Sequence, residues 1–287
     1  MSRVLVTGAY GLLGVELVPA LKMAGHEVLC QGRGDYAEFQ ADLSLEKEVL
    51  ALLRQAQPDA VVNLAAATNV DACESDPRMA YLANVRIVEN LAHVLPKTGV
   101  HLVQISTDHV YDGTGPHQEV NGCPCNVYAL SKYAGEMAAA ACGAMILRTN
   151  FVGRSRCPGR SAFSDWIVQS LRAGKSMTLF DDVLFSALHV SELCRFICLV
   201  IDRRQPGIFN VGSREGASKA QFASELAKHL GLDLSQATIG RLADHKSLAR
   251  RPLDMRMDVT KFEREFGVLS PTMAETIKRV SGDYHND

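Results

Sequence analysis

Residues 3–14 read Arg3-Val4-Leu5-Val6-Thr7-Gly8-Ala9-Tyr10-Gly11-Leu12-Leu13-Gly14. Arg3–Thr7 is an apolar, β-branched run, hence a strand, and it stops at a glycine. The three glycines are spaced G-x-x-G-x-x-G, and Leu12–Ala24 behind them reads as a helix. Strand, glycine turn and helix in that order make a phosphate-cradling unit. Gly8 permits the tight turn, Gly11 lets a pyrophosphate reach the backbone, and Gly14 lets helix pack on strand. Helix-start N–H groups then face the phosphates. Gly8, Tyr10, Gly11, Leu12, Leu13 and Gly14 are the expected cofactor contacts; the competing reading is a glycine-rich turn without a ligand.

The alternation continues outward. Glu27–Cys30, Ala60–Leu64, Leu102–Ser106 and Met145–Thr149 read as strands. Leu45–Gln55 (capped by Ser44), Asp76–Leu95 and Tyr128–Ala141 read as helices. Strands separated by helices imply βαβ units and a parallel sheet covered on both faces. The expected class is α/β: a Rossmann-type doubly wound parallel sheet with a smaller interleaved C-terminal part. Residues 1–150 form the dinucleotide-binding domain, with return segments near 181–212, and 151–287 mainly bind substrate. In that second part Phe163–Ala173, Ser191–Ile201 and Ser218–Leu230 read as helices, and Arg250–Arg256 as irregular.

Composition narrows the class. The 287 residues are 47% hydrophobic and 22% charged, with 30 basic against 32 acidic side chains and a net charge of -2. That balance offers no field for nucleic acid or an anionic membrane surface. The apolar run Phe196–Ile201 is too short to span a bilayer, and no export signal is read at the start, so the expected location is the cytoplasm. Eight scattered cysteines read as small buried apolar residues; no metal set is expected.

Cofactor choice turns on the end of the second strand, where an acid would bind the ribose 2′-hydroxyl of NAD(H). Here Gln31-Gly32-Arg33 follows Cys30, with no acid before Asp35. Arg33 can pair a 2′-phosphate. NADP(H) is therefore preferred, and NAD(H) stays open through Asp35 if the strand runs longer.

Tyr128-Ala129-Leu130-Ser131-Lys132 is Y-x-x-x-K, which puts phenol and ammonium on one helix face. A neighbouring cation lowers a phenol's pKa and tunes it for general acid–base work. Strand Leu102–Ser106 delivers Ser106 and Thr107 to the carboxyl end of the sheet, where ligands of parallel sheets sit; loop capping is the blander role for such hydroxyls.

Together these features resemble the extended short-chain dehydrogenase/reductases, and within them the sugar-nucleotide reductases related to dTDP-4-dehydrorhamnose reductase. The resemblance is carried by Gly8–Gly14, Asn63–Asp71, Ser106–Gly113, Asn126–Glu136, Arg148-Thr149-Asn150 and Arg250–Asp258. It implies Thr107, Tyr128 and Lys132 as catalytic residues, with Tyr128 protonating the oxygen as hydride arrives. Along the cofactor it implies Asp42, Leu43, Ala65, Ala66, Ala67, Asn84, Ser106, Tyr128 and Lys132 in addition to the glycine turn. Thr68, Thr107, Asn150, Phe151 and Arg251 would meet the substrate, and Arg148 would begin the piece leading into its site. The implied reaction is NADPH-dependent reduction of a 4-keto sugar nucleotide.

Three departures fall around the sugar pocket: Phe151 where these reductases tend to have tryptophan, His109 for a common tyrosine, and Phe185-Ser186-Ala187-Leu188 without a Ser-Pro-Thr. They leave the sugar open. Related dehydratases typically carry a glutamate where His109 stands, which disfavours dehydration. A sugar-nucleotide epimerase of the same family and a non-catalytic NADP-binding regulatory subunit remain as alternatives, and a homodimer is an open expectation.

Overall fold

A computed structural model describes residues 1–285. The chain alternates as the pattern predicts: β1 (Arg3–Thr7), α1 (Gly14–Met23), β2 (Glu27–Gly32), β3 (Phe39–Gln40), α2 (Glu46–Ala56) and β4 (Ala60–Asn63). Then come α3 (Val70–Ser75), α4 (Pro77–Tyr81), a π-helical turn (Leu82–Arg86), α5 (Ile87–Val94), β5 (His101–Thr107), α6 (Val127–Ala141) and β6 (Met145–Thr149). The second half holds β7 (Phe151–Val152), α7 (Phe163–Arg172), β8 (Met177–Phe180), β9 (Leu184–Phe185), β10 (Leu188–His189) and α8 (Val190–Val200). It closes with β11 (Gly207–Val211), β12 (Ala217–Ser218), α9 (Lys219–Leu230), β13 (Ala237–Gly240), α10 (Thr260–Phe266) and α11 (Met273–Gly282).

Seven strands form one sheet in the order β11-β6-β5-β4-β1-β2-β3, and every pairing in it is parallel. Successive side chains on a strand point to opposite faces, so each central strand needs apolar residues on both. Val4 and Val6 face α1 and α8 in one cluster, while Leu5 faces α2 and α5 in another. The strand order reverses between β1 and β4. The crevice beyond their carboxyl ends is where such sheets take ligands, and it is bordered by Gly8 from one strand and the 64–67 loop from the other.

A second apolar core joins α7, α9, α11 and β8 through Val168, Leu179, Phe222 and Ile277. The chain then returns to the sheet through β11, which pairs with β6. Residues 250–256 run without helix or regular strand.

Several predicted boundaries move for identifiable reasons. β2 continues to Gly32, because Gln31 and Gly32 pair with β3. Ser44 does not cap α2; the cap is Leu45, and Ser44 is instead tied to the Asp42 carboxylate through its N–H and hydroxyl. The helix predicted over 76–95 is broken by the π turn, and Asp76 caps its first segment. Among the described residues no helix is long and apolar enough to cross a membrane.

Candidate active site

The glycine turn is built by sterics. Gly8 has φ +64, and a Cβ there would lie 2.9 Å from the Ala65 nitrogen. Gly14 leaves no room for a Cβ against the Ala9 carbonyl. The turn is pinned by Gln31, 2% exposed, whose Oε1 accepts from Gly8 N at 3.2 Å. Its Nε2 donates to Ala41 O at 2.8 Å. Sequence reasoning saw Gln31 only as a missing acid; the structural role depends on residues 10 and 23 positions away. Among the described residues, the N–H groups of Leu12 and Leu13 donate to no protein acceptor, and α1 has no side-chain cap. Orphan donors at a helix start suit a phosphate, so this turn fits the diphosphate of a dinucleotide.

Around the cradle the predicted residues divide. Arg33 stands exposed just past β2, and Asp35 is exposed in the loop behind it. The Tyr10 ring packs beside Gly32 and meets Tyr36 edge-on at 5.1 Å. Ala65, Ala66 and Ala67 are half-buried along the crevice. Asp42 is open at the rim. The Leu43 side chain is 2% exposed in the core and its carbonyl accepts from Asn90. Asn84 is 2% exposed within the π turn; it holds Ala67 N (2.8 Å) and Ala67 O (3.0 Å) and donates to Ser131 Oγ (2.9 Å). It therefore fixes the crevice loop against α6. The π turn supplies this geometry, in keeping with the frequent use of such turns at functional sites.

At the carboxyl end of β5, Ser106 and Thr107 separate. Ser106 points inward and donates its hydroxyl to Glu136 Oε1 on α6. Glu136, fully buried, also takes Arg148 Nη2 at 2.6 Å. Arg148 Nη1 goes on to Tyr111 Oη (2.9 Å), which donates to Asn210 Oδ1 (2.5 Å). Arg148 is 1% exposed and structural rather than a substrate contact. Its position on a central strand turns it into the polar spine of the sheet.

Thr107 points the other way. Its hydroxyl lies near enough to the Tyr128 phenol to bear on it, and it donates to Asp108 Oδ1 at 3.3 Å. Tyr128 and Lys132 share the buried face of α6, whose start is capped by Asn126. Lys132 Nζ donates to Ile105 O at 2.8 Å. The expected lysine effect on the phenol is overturned. Burial, the largest influence, holds the Tyr128 hydroxyl well above its ordinary pKa, only partly offset by the neighbouring Thr107 hydroxyl. Lys132 is itself pushed down to about 8 by burial, against the pull of Glu136. Tyr128 is a protonated donor in this geometry, not a phenolate.

Tyr128 is roofed by Val70, Cys73, Ala80 and Ala249. The 249–251 segment is fastened by Ala249 N to Asp71 (3.2 Å), Arg251 to Asp71 (2.6 Å) and Asn126 to Arg250 O (2.8 Å). Arg250 and Arg256 pair with Asp112 and Asp254, so each arginine of this run has a carboxylate in contact. Asn150 donates to Asp108 Oδ2 at 2.6 Å. Phe151 leans on the main apolar core and Thr68 is exposed.

Asp108 and Lys219 were not singled out in the sequence. Asp108 is 1% exposed, and burial lifts it to about 6. The S-T-D run was visible, but its burial was not. His109 meets the Tyr128 ring edge-on at 5.5 Å. Burial, then Lys219 and Arg251, hold it down to about 3, so it is neutral.

The cysteines are all free, but only Cys73, Cys157 and Cys194 are buried and Cys123 is exposed, which corrects the uniform burial expected of them. Among the described residues no group of three His, Cys, Asp or Glu side chains is arranged to hold a metal.

A parallel doubly wound sheet with a glycine cradle at its switch point, and Thr, Tyr and Lys side chains beyond β5, defines a Rossmann-type protein of the short-chain dehydrogenase/reductase class. The chain belongs to the RmlD substrate binding domain family, whose model matches residues 2–286. It is 30% identical over 284 residues to the "Probable low-salt glycan biosynthesis reductase Agl14" of Haloferax volcanii, covering 95% of each chain. It is 29% identical to the dTDP-4-dehydrorhamnose reductase of Salmonella typhimurium, covering 97% of this chain and 96% of that one. A solved dTDP-4-dehydrorhamnose reductase of Bacillus anthracis, determined in complex with NADP, shares the fold at TM-score 0.87 and 24% identity, over 97% of this chain and 98% of that one.

Proposed function

We propose that this chain is an NADPH-dependent reductase of a 4-keto sugar nucleotide, with Tyr128 as the proton donor. The observation that carries the reading is the placement of Thr107 at the carboxyl end of β5 beside α6, where Tyr128 and Lys132 are buried on one helix face. Both hydroxyls belong to the wall beside the dinucleotide crevice. Membership of a family whose named relatives are reductases supports it.

Leu12 and Leu13 N–H, with the Gly8–Gly14 turn, would hold the cofactor diphosphate, and Arg33 a 2′-phosphate. Bound NADPH would supply the hydride. Thr107 and Tyr128 would hold the substrate carbonyl oxygen, and Tyr128 would release its hydroxyl proton to that oxygen. A phenol kept protonated by burial suits the reductive direction, which needs a donor. Lys132 would hold the nicotinamide ribose. Asn84 and Asp108 position the crevice loop and Thr107. Arg251, Asn150, Phe151 and Thr68 would face the sugar nucleotide. Asp42 and the 65–67 alanines would border the cofactor.

Reduction consumes NADPH stoichiometrically, whereas an epimerase recycles it. An NADPH-oxidation assay across keto-sugar nucleotides therefore tests the reading. Tyr128→Phe should lower kcat by roughly 10²–10⁴-fold, the share of general acid catalysis; wild-type turnover in that variant sinks the assignment. We also propose a cytoplasmic location, and a homodimer using α6, where Leu130 and Met137 stand exposed; sedimentation reads the second point.

A further inference from the structure

Lys219 opens α9 directly behind the Ser218 cap. Its ammonium lies 3.6 Å from the centroid of the Phe185 ring and 4.2 Å from that of Phe163. The rings belong to β9 and α7, so the charge is held from two elements by cation–π attraction. Among the described residues, Nζ makes no hydrogen bond and has no carboxylate within 4.0 Å. It nevertheless bears electrostatically on two groups that directly follow Thr107: Asp108 and His109.

His109 carries a second independent signal. Its Nδ1 is buried and has no hydrogen-bond partner among the described residues. Buried polar atoms are normally satisfied. Arg251 also acts on His109, but its guanidinium is already held by Asp71 at 2.6 Å. The residue lying edge-on to Tyr128 thus feels the charge of a paired cation and of an ammonium that, among the described residues, has no counter-ion in contact. An ammonium with three donors and an imidazole nitrogen able to donate are complementary to anionic oxygen.

We propose that Lys219 is a specificity-determining contact for an anionic oxygen of the substrate, carried either by the nucleotide diphosphate or by a carboxylate on the sugar. This rests on the reductase reading above and names the substrate feature that the site selects. A counter-ion serving only Asp108 would affect melting but not ligand affinity.

The test uses calorimetric titration of the NADPH-loaded full-length protein with dTDP, UDP, UDP-glucose and UDP-glucuronate. The last two differ by one carboxylate. Lys219→Met should bind at least about tenfold more weakly, the range of one charge-assisted hydrogen bond, while Lys219→Arg stays within about threefold of wild type. A loss of equal size for every probe assigns the contact to phosphate. A loss confined to UDP-glucuronate assigns it to a sugar carboxylate. Wild-type affinity for all probes in the Met variant overturns the proposal, as does an equal loss in the Arg variant. Lys219→Gln replaces the Met variant if that one does not fold. Lys219-dependent binding without NADPH oxidation on any keto-sugar nucleotide defeats the reductase reading alone; a wild type that binds no probe defeats both.

Discussion

α1 and α6 cover the same sheet with opposite kinds of face. α1 buries Gly14, Leu17 and Leu21 in a purely apolar contact. α6 buries Tyr128, Ser131, Lys132 and Glu136 beside Ala129, Gly135 and Ala139. The first is held by area removed from water, which is non-directional. The second is held by directed bonds, in which each polar group needs its own partner. The difference matches the roles proposed for them: α1 would present backbone donors to a phosphate, and α6 side chains to a reacting bond.

The contrast can be broken in order of expected size. After the loss of kcat set out for Tyr128→Phe, the largest effect belongs to Glu136. Glu136→Ala leaves the Arg148 guanidinium buried without its carboxylate and should lower stability by about 3–5 kcal/mol, with activity falling as the sheet end loosens. Chemical denaturation with parallel kcat measurement checks both. On α1, Leu17→Ala should cost about 2–5 kcal/mol, depending on how well the site collapses, with kcat unchanged per folded molecule. If Leu17→Ala damages kcat as Glu136→Ala does, the two helices are not functionally distinct.

A smaller effect concerns pH. Burial raises Asp108 from the ordinary 3.8 to about 6 in the folded chain, so the folded state binds this proton more tightly than the unfolded one. Its contribution to stability is greatest below about 4 and declines as pH rises to about 6. The Tm of Asp108→Asn should vary less than wild type across that window; an unchanged slope would remove Asp108 as the titrating group. The smallest effect lies at the cofactor rim. Arg33→Ala should raise the KM for NADPH several-fold, the order of one exposed charge contact of about 1 kcal/mol, and leave NADH unaffected. Equal changes for both would dismiss the 2′-phosphate role.

The same contrast explains what could be read in advance. The glycine turn, the β1–α1 unit and the helix bearing Tyr128 and Lys132 were legible, because their signals are local: fixed spacing, apolar period and φ requirements. In the C-terminal part, α11 escaped notice although Thr272 and Glu275 form a capping box that its sequence displays. The short strands β7, β9, β10 and β12 have two residues each, too few for a period to register. Ser106 and Thr107 looked equivalent until the pleat sent one to Glu136 and the other to Tyr128. Arg148 read only as the start of the piece leading into the substrate site, and the sheet encloses it.

By itself, then, the sequence determined the doubly wound class, the glycine turn and the shared helix face of Tyr128 and Lys132, since each depends on neighbours within a few residues or on one helix face. Only the tertiary structure decided that Tyr128 is held protonated, that the Arg148 and Ser106 side chains meet at Glu136 inside the sheet, and that Lys219 acts on Asp108 and His109. Burial and charge at those positions come from segments up to about a hundred residues away, and desolvation depends on the whole surrounding packing rather than on spacing along the chain.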